Sequence, residues 1–275
     1  MTLPINCHQL SFSPTKTENL NRILREIEDS DAYLDIFPEY AMGVPQNGLS
    51  KTYVQKNAEP LNGEFVTKIL EKTSQKQSSA VFTTFLKEHG AVYNAAILAE
   101  AGKIKVVYKK IHLFDAFGYK ESELFSPGRE LAMVELRGFN VGLAVCFDLR
   151  FPELFRAMAY RGANLFIVPS AWYKGEHKLE QWRILIMARA HENTSYLIAV
   201  DQTDPFFVGH SMVASPLAYA LREVGEEQTN FAVELDRKGI EEAKKSVPIM
   251  RLSKPKLYRD FDLHACNVKG NLRQS

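Results

Sequence analysis

The chain is poor in three features that would assign it to a class at once: cysteine pairs, long apolar runs and net charge. Its three cysteines, Cys7, Cys146 and Cys266, are too few for a disulfide framework, and their spacing is not that of a zinc site. No stretch of about eighteen apolar residues occurs, so no membrane-spanning helix and no membrane partner are expected. The formal net charge of +1 provides no overall field that would attract nucleic acid.

Two further absences bear on location and cofactors. No basic stretch near the start is followed by a long apolar stretch and a small-residue cleavage site, so a cytoplasmic location is expected. The histidines lack metal-ligand spacing, and we expect neither a metal nor another cofactor. No linker rich in glycine, proline or serine divides the chain. We therefore expect one domain over residues 1–253, followed by a basic, weakly periodic arm or loose tail over 254–275.

Strand and helix patterns alternate along most of the sequence. Residues 5–12 read as a strand, and a capping box at residues 15–18 opens a helix. The wholly apolar run 141–145 is typical of a strand buried on both faces, and residues 179–193 predict a long helix. This alternation predicts an α/β fold in which helices cover a sheet.

Three residues with chemical potential follow predicted strands. Glu39 follows Pro38, Lys110 follows a strand that ends at Tyr108, and Cys146 ends the apolar run. Reactive groups in open α/β sheets collect at the carboxyl ends of strands. The residues alone leave plainer alternatives open: a buried structural cysteine, an exposed loop carboxylate and a solvated edge-strand lysine.

The surroundings of Cys146 indicate a nucleophile more directly. A thiol between a strand and a helix start is expected to be favoured as thiolate by the helix dipole and nearby cations. The free backbone N–H of Phe147 is a candidate donor to an oxyanion. His112 leaves open a Cys–His pair, although a structural histidine is the preferred interpretation.

Taken together, several ordered motifs resemble the nitrilase superfamily of carbon–nitrogen hydrolases, in its amidase-type branch. The resemblance runs from about residue 5 to residue 258. The motifs that carry it are residues 37–39, 108–115, 121–128, 145–154, 169–172, 188–193 and 209–211.

The resemblance implies a four-layer αββα sandwich and a homodimer or higher homo-oligomer. It assigns catalysis to Glu39, Lys110 and Cys146. The residues expected to support the site or position the substrate are Glu121, Phe147, Arg150 and Trp172. The implied reaction is hydrolysis of a small linear amide, as in an amidase or ω-amidase, to a carboxylic acid and ammonia. It proceeds through a Cys thioester, with a Glu general base and a Lys that stabilises the oxyanion.

Alternatives remain within and outside this chemistry. The substrate could instead be an N-carbamoyl compound or a nitrile, but nitrilases usually carry Trp–Glu where this chain has Phe147–Asp148, which favours an amide. A catalytically silent binding or scaffold protein on the same fold is the alternative from another class. Lys120, Lys174 or Arg150 could meet a substrate carboxylate.

One strand position departs from the family pattern. Asp35 stands in a predicted strand where the family usually has an apolar residue. It either pairs locally or shifts the register of the strand.

Overall fold

The computed structural model describes residues 2–203 and 205–268. The strands are β1 (Thr2–Gln9), β2 (Leu34–Ile36), β3 (Ser79–Glu88), β4 (Ala91–Glu100), β5 (Lys103–Lys109), β6 (Asp115–Ala116), β7 (Tyr119–Lys120), β8 (Ala132–Leu136), β9 (Phe139–Leu143), β10 (Leu165–Ser170), β11 (Tyr196–Asp201), β12 (Met212–Ala214), β13 (Ala220–Glu223) and β14 (Thr229–Asp236). The helices are α1 (Lys16–Asp29), α2 (Lys51–Asn57), α3 (Glu64–Lys76), α4 (Pro152–Tyr160), α5 (Lys178–Glu192), α6 (Arg237–Ser246), α7 (Ile249–Leu252) and α8 (Pro255–Val268).

The described part of the chain forms two six-stranded sheets and a small hairpin of β6 and β7. The first sheet has the order β14-β1-β2-β3-β4-β5, and the second has the order β13-β12-β11-β10-β9-β8. In the first sheet β1, β2 and β3 are parallel, β4 is antiparallel to β3, and β5 is antiparallel to β4. β5 therefore runs in the direction of β2. In the second sheet β9, β10 and β11 are parallel.

Helices cover the outer faces of both sheets. α1 buries Leu20, Ile23 and Ile27 in the core that also holds α3 and the first sheet. On the other side, Phe155 of α4 packs edge-on against Phe166 of β10, and α5 lies on β11 and β12. The inner faces of the sheets meet where β1 contacts β11, β3 contacts β10 and β5 contacts β8. The predicted four-layer αββα sandwich is confirmed.

Three helices, α2, α7 and α8, were not predicted. α2 has only seven residues, too short for an apolar period to show in sequence. Residues 255–268, expected to form a weakly periodic arm or tail, form α8, which starts with a proline suited to the first turn of a helix. Tyr258 of α8 shares a surface groove with Arg156 of α4. Residues 269–275 of that expected tail lie outside the described residues.

The register of β2 is not displaced by its polar residue. Asp35 pairs with Asn6 of β1 and Ala80 of β3 without a shift. The carboxylate accepts a hydrogen bond from His8 Nε2, 2.8 Å from Asp35 Oδ1. Local pairing, rather than a displaced strand, thus accounts for the polar residue. Among the described helices, none has the length and apolar character needed to cross a bilayer.

Candidate active site

Glu39 lies three residues beyond the end of β2, where the two sheets meet. Its backbone N–H donates to the Ser170 carbonyl at the end of β10, with an N···O distance of 3.1 Å. Its carbonyl accepts from Gln202 Nε2 at 2.8 Å, just past β11. The backbone of Glu39, which follows a strand of the first sheet, is therefore anchored to residues at the ends of strands in the second sheet.

Lys110 directly follows β5 and is surrounded by carboxylates. Its Nζ donates to Glu39 Oε1 and to Glu121 Oε2, each at 2.8 Å. Asn94 of β4 joins the same two acids, because its Nδ2 donates to Glu39 Oε1 at 2.7 Å and to Glu121 Oε1 at 2.9 Å. All four side chains are buried. The network fixes the ammonium and one oxygen of Glu39 relative to each other.

Glu121 is held on every side. Besides Lys110 and Asn94, it accepts from Tyr40 OH at 3.0 Å and from the Phe114 backbone N–H at 2.7 Å. It is not among the side chains that line the small pocket described below. This placement favours a role in holding Lys110 over direct contact with a substrate.

Cys146 begins a short 3-10 turn, Cys146–Arg150, just after β9. Its φ of +45° is unusual for a residue with a side chain and costs about 1–3 kcal/mol, which surrounding contacts must offset. One such contact is the Val145 N–H, which donates to Asp148 Oδ2 at 2.9 Å. Backbone strain of this kind concentrates at functional sites.

Asp148 joins the cysteine turn to the lysine segment. Its Oδ2 also accepts from Tyr108 OH at 2.8 Å, and its Oδ1 accepts from the His112 N–H at 3.1 Å and lies 2.7 Å from His112 Nδ1. The His112 ring stacks on Phe151 at 3.7 Å. His112 thus braces the loops, as the structural interpretation expects, and its Nδ1 is turned to Asp148 rather than to the thiol.

Glu39, Lys110 and Cys146 line one small inner pocket of about 20 Å³. The side chains of Phe147, Arg150 and Trp172 share its wall. Within the described residues, Glu39 Oε2 is buried and has no hydrogen-bond partner, in contrast to Oε1. Glu39, one of whose oxygens is an acceptor without a donor, therefore lines the same pocket as Cys146.

Burial dominates the electrostatics of this pocket. It raises the pKa of Glu39 against the opposing effect of Lys110, and Glu121 adds to the rise. It also raises the pKa of Cys146 well above its ordinary value, with a further rise from Glu39 that Lys110 opposes. Burial alone would lower the pKa of Lys110, but Glu121 and Glu39 raise it well above the usual value. Burial therefore favours the neutral thiol of Cys146, and the two glutamates favour the charged ammonium of Lys110.

The favouring of thiolate expected from the helix dipole and nearby cations is outweighed by burial: Lys110 lowers the pKa of Cys146, but desolvation and Glu39 raise it. The turn after Cys146 has five residues, and the first longer helix, α4, begins only at Pro152. A single 3-10 turn supplies little dipole to offset the desolvation of a buried charge. The thiol needs a base to lose its proton.

Residues at or near the pocket that the sequence analysis did not single out include Asn94, Tyr173 and Lys178. Tyr173 and Lys178 both line the inner pocket and the groove outside it. Asn94 had a visible signal, since it is the polar residue that opens the apolar run of β4. Lys178 stands at the first position of α5, where a surface charge is the ordinary interpretation.

The two lysines proposed to bind a substrate carboxylate, Lys120 and Lys174, do not line the inner pocket. Lys120 is exposed and pairs with Glu123 at 3.6 Å. Lys174 lines only the outer groove and pairs with Glu226 at 3.4 Å. Of the three candidates, only Arg150 reaches the inner pocket. Across the described ranges, no group of three or more His, Cys, Asp or Glu side chains could hold a metal ion.

Comparison with known proteins agrees with this geometry. The pattern of the Carbon-nitrogen hydrolase family matches residues 5–245. A Mycobacterium tuberculosis protein described as a hydrolase is 34% identical over 247 residues, which are 82% of this chain and 85% of that protein. The deaminated glutathione amidase of Escherichia coli O157:H7 is 28% identical over 240 residues, covering 86% of this chain and 91% of the amidase.

A solved structure extends the likeness to three dimensions. Nit3 of Saccharomyces cerevisiae, a member of branch 10 of the nitrilase superfamily, superposes with a TM-score of 0.80 at 27% identity, covering 93% of this chain and 96% of Nit3. Fold, sequence pattern and relatives agree. The chain belongs to the carbon–nitrogen hydrolase family of enzymes, within the nitrilase superfamily.

Proposed function

We propose that the protein hydrolyses the C–N bond of a small linear amide, releasing ammonia and a carboxylic acid through a thioester on Cys146. The observation that carries the proposal is the asymmetry of Glu39. Lys110 and Asn94 hold one of its oxygens, the other is buried without a donor, and the side chain lines the same pocket as Cys146. A buried acceptor left free in this way is suited to take a proton.

The first half-reaction forms the thioester. Glu39 takes the proton of the Cys146 thiol while the sulfur bonds to the amide carbonyl carbon. The Lys110 ammonium and the Phe147 N–H stabilise the oxyanion that develops. When the C–N bond breaks, Glu39 returns its proton to the departing nitrogen, which leaves as ammonia.

The second half-reaction repeats these roles with water. Glu39 takes a proton from a water molecule, whose oxygen bonds to the thioester carbonyl carbon. The C–S bond then breaks, and the proton on Glu39 returns to the sulfur. The raised pKa of Glu39 brings it closer to the working pH of a general base, and the raised pKa of Lys110 keeps that side chain charged.

The supporting residues take no part in the making and breaking of bonds. Glu121 holds Lys110, and Arg150 and Trp172 shape the pocket wall. Asp148 braces the cysteine turn, which is consistent with the preference for an amide over a nitrile argued from Phe147–Asp148. An N-carbamoyl compound remains the alternative substrate, because it differs mainly beyond the carbonyl.

A panel of short amides, carbamoyl amino acids and aliphatic nitriles tests the proposal. We expect ammonia release by the wild type, together with an acyl adduct at Cys146 in intact-mass spectrometry. Cys146→Ala should give neither. Cys7→Ala is the matched control, because Cys7 is also buried but lies in β1, and it should keep both.

An acyl adduct or ammonia release that survives in Cys146→Ala would refute the assignment of the nucleophile. A wild type that turns over nothing and forms no adduct would favour the silent binding protein. The homo-oligomer, the cytoplasmic location and the domain boundary at residue 253 stay predictions.

A further inference from the structure

The inner pocket opens into a much larger outer groove of about 770 Å³. The two spaces share Phe114, Tyr173 and Lys178, so these side chains lie where one leads into the other. Phe117 and Phe206 add aromatic surface to the groove. The inner space admits little more than an amide group, whereas grooves of this outer size hold ligands of drug-like dimensions. The acyl chain of a substrate therefore has to pass Lys178.

Lys178 is buried without an acidic partner. Only 9% of its surface is exposed, and none of the ion pairs in the described ranges includes it. Its ammonium instead lies 3.5 Å from the ring centre of Phe117 and 5.9 Å from that of Phe114. Contacts with aromatic faces replace only part of the hydration that a buried ammonium loses. The Lys178 ammonium can therefore still form an ion pair with a bound anion.

Arg150 is a second cation on the wall of the inner pocket. Its Nη2 donates to the neutral Gln181 at 2.8 Å, and its guanidinium lies 4.5 Å from the ring centre of Trp172. Its Nε is buried and has no partner among the described residues. An arginine with an unused donor at a pocket wall can donate hydrogen bonds to a planar carboxylate.

The two charges also disfavour each other. Burial lowers the pKa of Lys178, and the charge of Arg150 lowers it further. Burial lowers the pKa of Arg150. Surface lysines of the same region behave differently, since Lys120 and Lys174 each face a glutamate. A bound anion between Lys178 and Arg150 would offset the loss of hydration of both side chains and the repulsion between them.

Resting on the proposed function, we propose that Lys178 and Arg150 form an anion subsite where the inner pocket meets the outer groove. The preferred substrate is then an amide whose acyl chain carries a carboxylate. Lys178 is the residue that determines this specificity.

Matched pairs of amides test the subsite. The monoamides of succinic, glutaric and adipic acid carry a free carboxylate, and their methyl esters are neutral and of similar shape. Ammonia release measures amide cleavage alone in both series. We expect the wild type to prefer the acids by about 10–100-fold in kcat/KM, the range of a charged hydrogen bond.

The variants separate recognition from stability. Lys178→Met should bring the acid-to-ester ratio close to one, and Lys178→Arg should restore much of the preference. Lys120→Met is the matched control, since Lys120 is an exposed lysine outside both spaces, and its ratio should equal that of the wild type.

Equal turnover of acids and esters by the wild type would overturn the subsite and leave the proposed amidase reaction standing. A Lys178→Met variant that loses activity on the acids and on the esters in the same proportion would also overturn the subsite, because that result indicates a structural role for Lys178. If neither series acylates Cys146, the proposed function fails, and the subsite fails with it.

Discussion

Strand β2 leads into two buried ionic clusters, one around Asp35 and one around Glu39. Each contains two carboxylates and one basic group: Asp35 and Glu26 with His8, and Glu39 and Glu121 with Lys110. In each, one carboxylate oxygen is buried and unpartnered among the described residues. An unsatisfied buried oxygen is therefore not by itself a mark of chemistry.

The surroundings of these oxygens make the difference. The His8–Asp35 pair is enclosed between strands, with the His8 ring stacked on Phe37 at 4.5 Å. Glu39 instead borders a pocket that also contains the Cys146 thiol. Similar charges, one on β2 and one three residues beyond its end, are thus expected to serve stability at one position and catalysis at the other.

The largest expected effect comes from the same change made in both clusters. Glu39→Gln should lower kcat/KM by about 10²–10⁴-fold, the usual contribution of a general base, and leave the fold intact. Asp35→Asn should leave kcat/KM within a few-fold and lower the free energy of unfolding by about 3 kcal/mol, because it breaks a buried pair. Ammonia-release kinetics and urea unfolding measure the two quantities. Equal losses of activity in both variants would contradict the division of roles.

Lys110→Met is expected to have the next largest effect. Loss of one oxyanion donor should cost about 10²–10³-fold in kcat. Because Lys110 holds down the pKa of Cys146, the variant should also need a higher pH for alkylation by iodoacetamide. The pH profile of Cys146 labelling measures this shift, with Asp35→Asn as the control that should match the wild type. A profile that Lys110→Met leaves unmoved would exclude electrostatic contact with the thiol.

The smallest effect concerns the pH dependence of stability in the His8 cluster. Burial alone would lower the pKa of His8, but its hydrogen bonds to Asp35 and Glu26 raise it above 6.5. The stabilisation of the folded state by protonated His8 is complete below pH 6.5 and is lost as the pH rises through the folded pKa of His8. The hydrogen bond from His8 lowers the pKa of Glu26 to about 2. The stabilisation of the folded state by ionised Glu26 is therefore lost as the pH falls from about 4.5.

The difference in unfolding free energy between the wild type and His8→Gln should therefore be largest at pH 4.5–6.5 and smaller on both sides. Urea unfolding from pH 3 to pH 9 measures it. A difference that stays constant across that range would show that His8 contributes packing alone.

The sequence predicted those parts of the molecule that short stretches of chain determine. Glu39 and Lys110 follow β2 and β5, which run in one direction in the first sheet, and Cys146 follows β9 of the second sheet. The four-layer fold needed the resemblance as well, since alternating patterns give the class but not the pairing of two sheets. Both the class and the layers are confirmed.

The remaining parts depend on contacts between distant residues. Asn94 bridges to Glu39 across 55 positions, and no local pattern marks that pairing. The charge state of Cys146 depends on burial by both sheets, which the residues beside it do not reveal. Lys178 looks like an ordinary surface charge until α5 brings it over Phe117. In each case tertiary packing overrides the local interpretation.

The backbone attachment of Glu39 links turnover to the integrity of the whole sandwich. Ser170 and Gln202, both from the second half of the chain, fix a residue that belongs to the first half. Partial separation of the halves would displace this acid while each sheet kept its own strand pairing. Such a molecule would retain most of its circular dichroism and lose its turnover, so the activity reports the docking of the halves more sensitively than the secondary structure does.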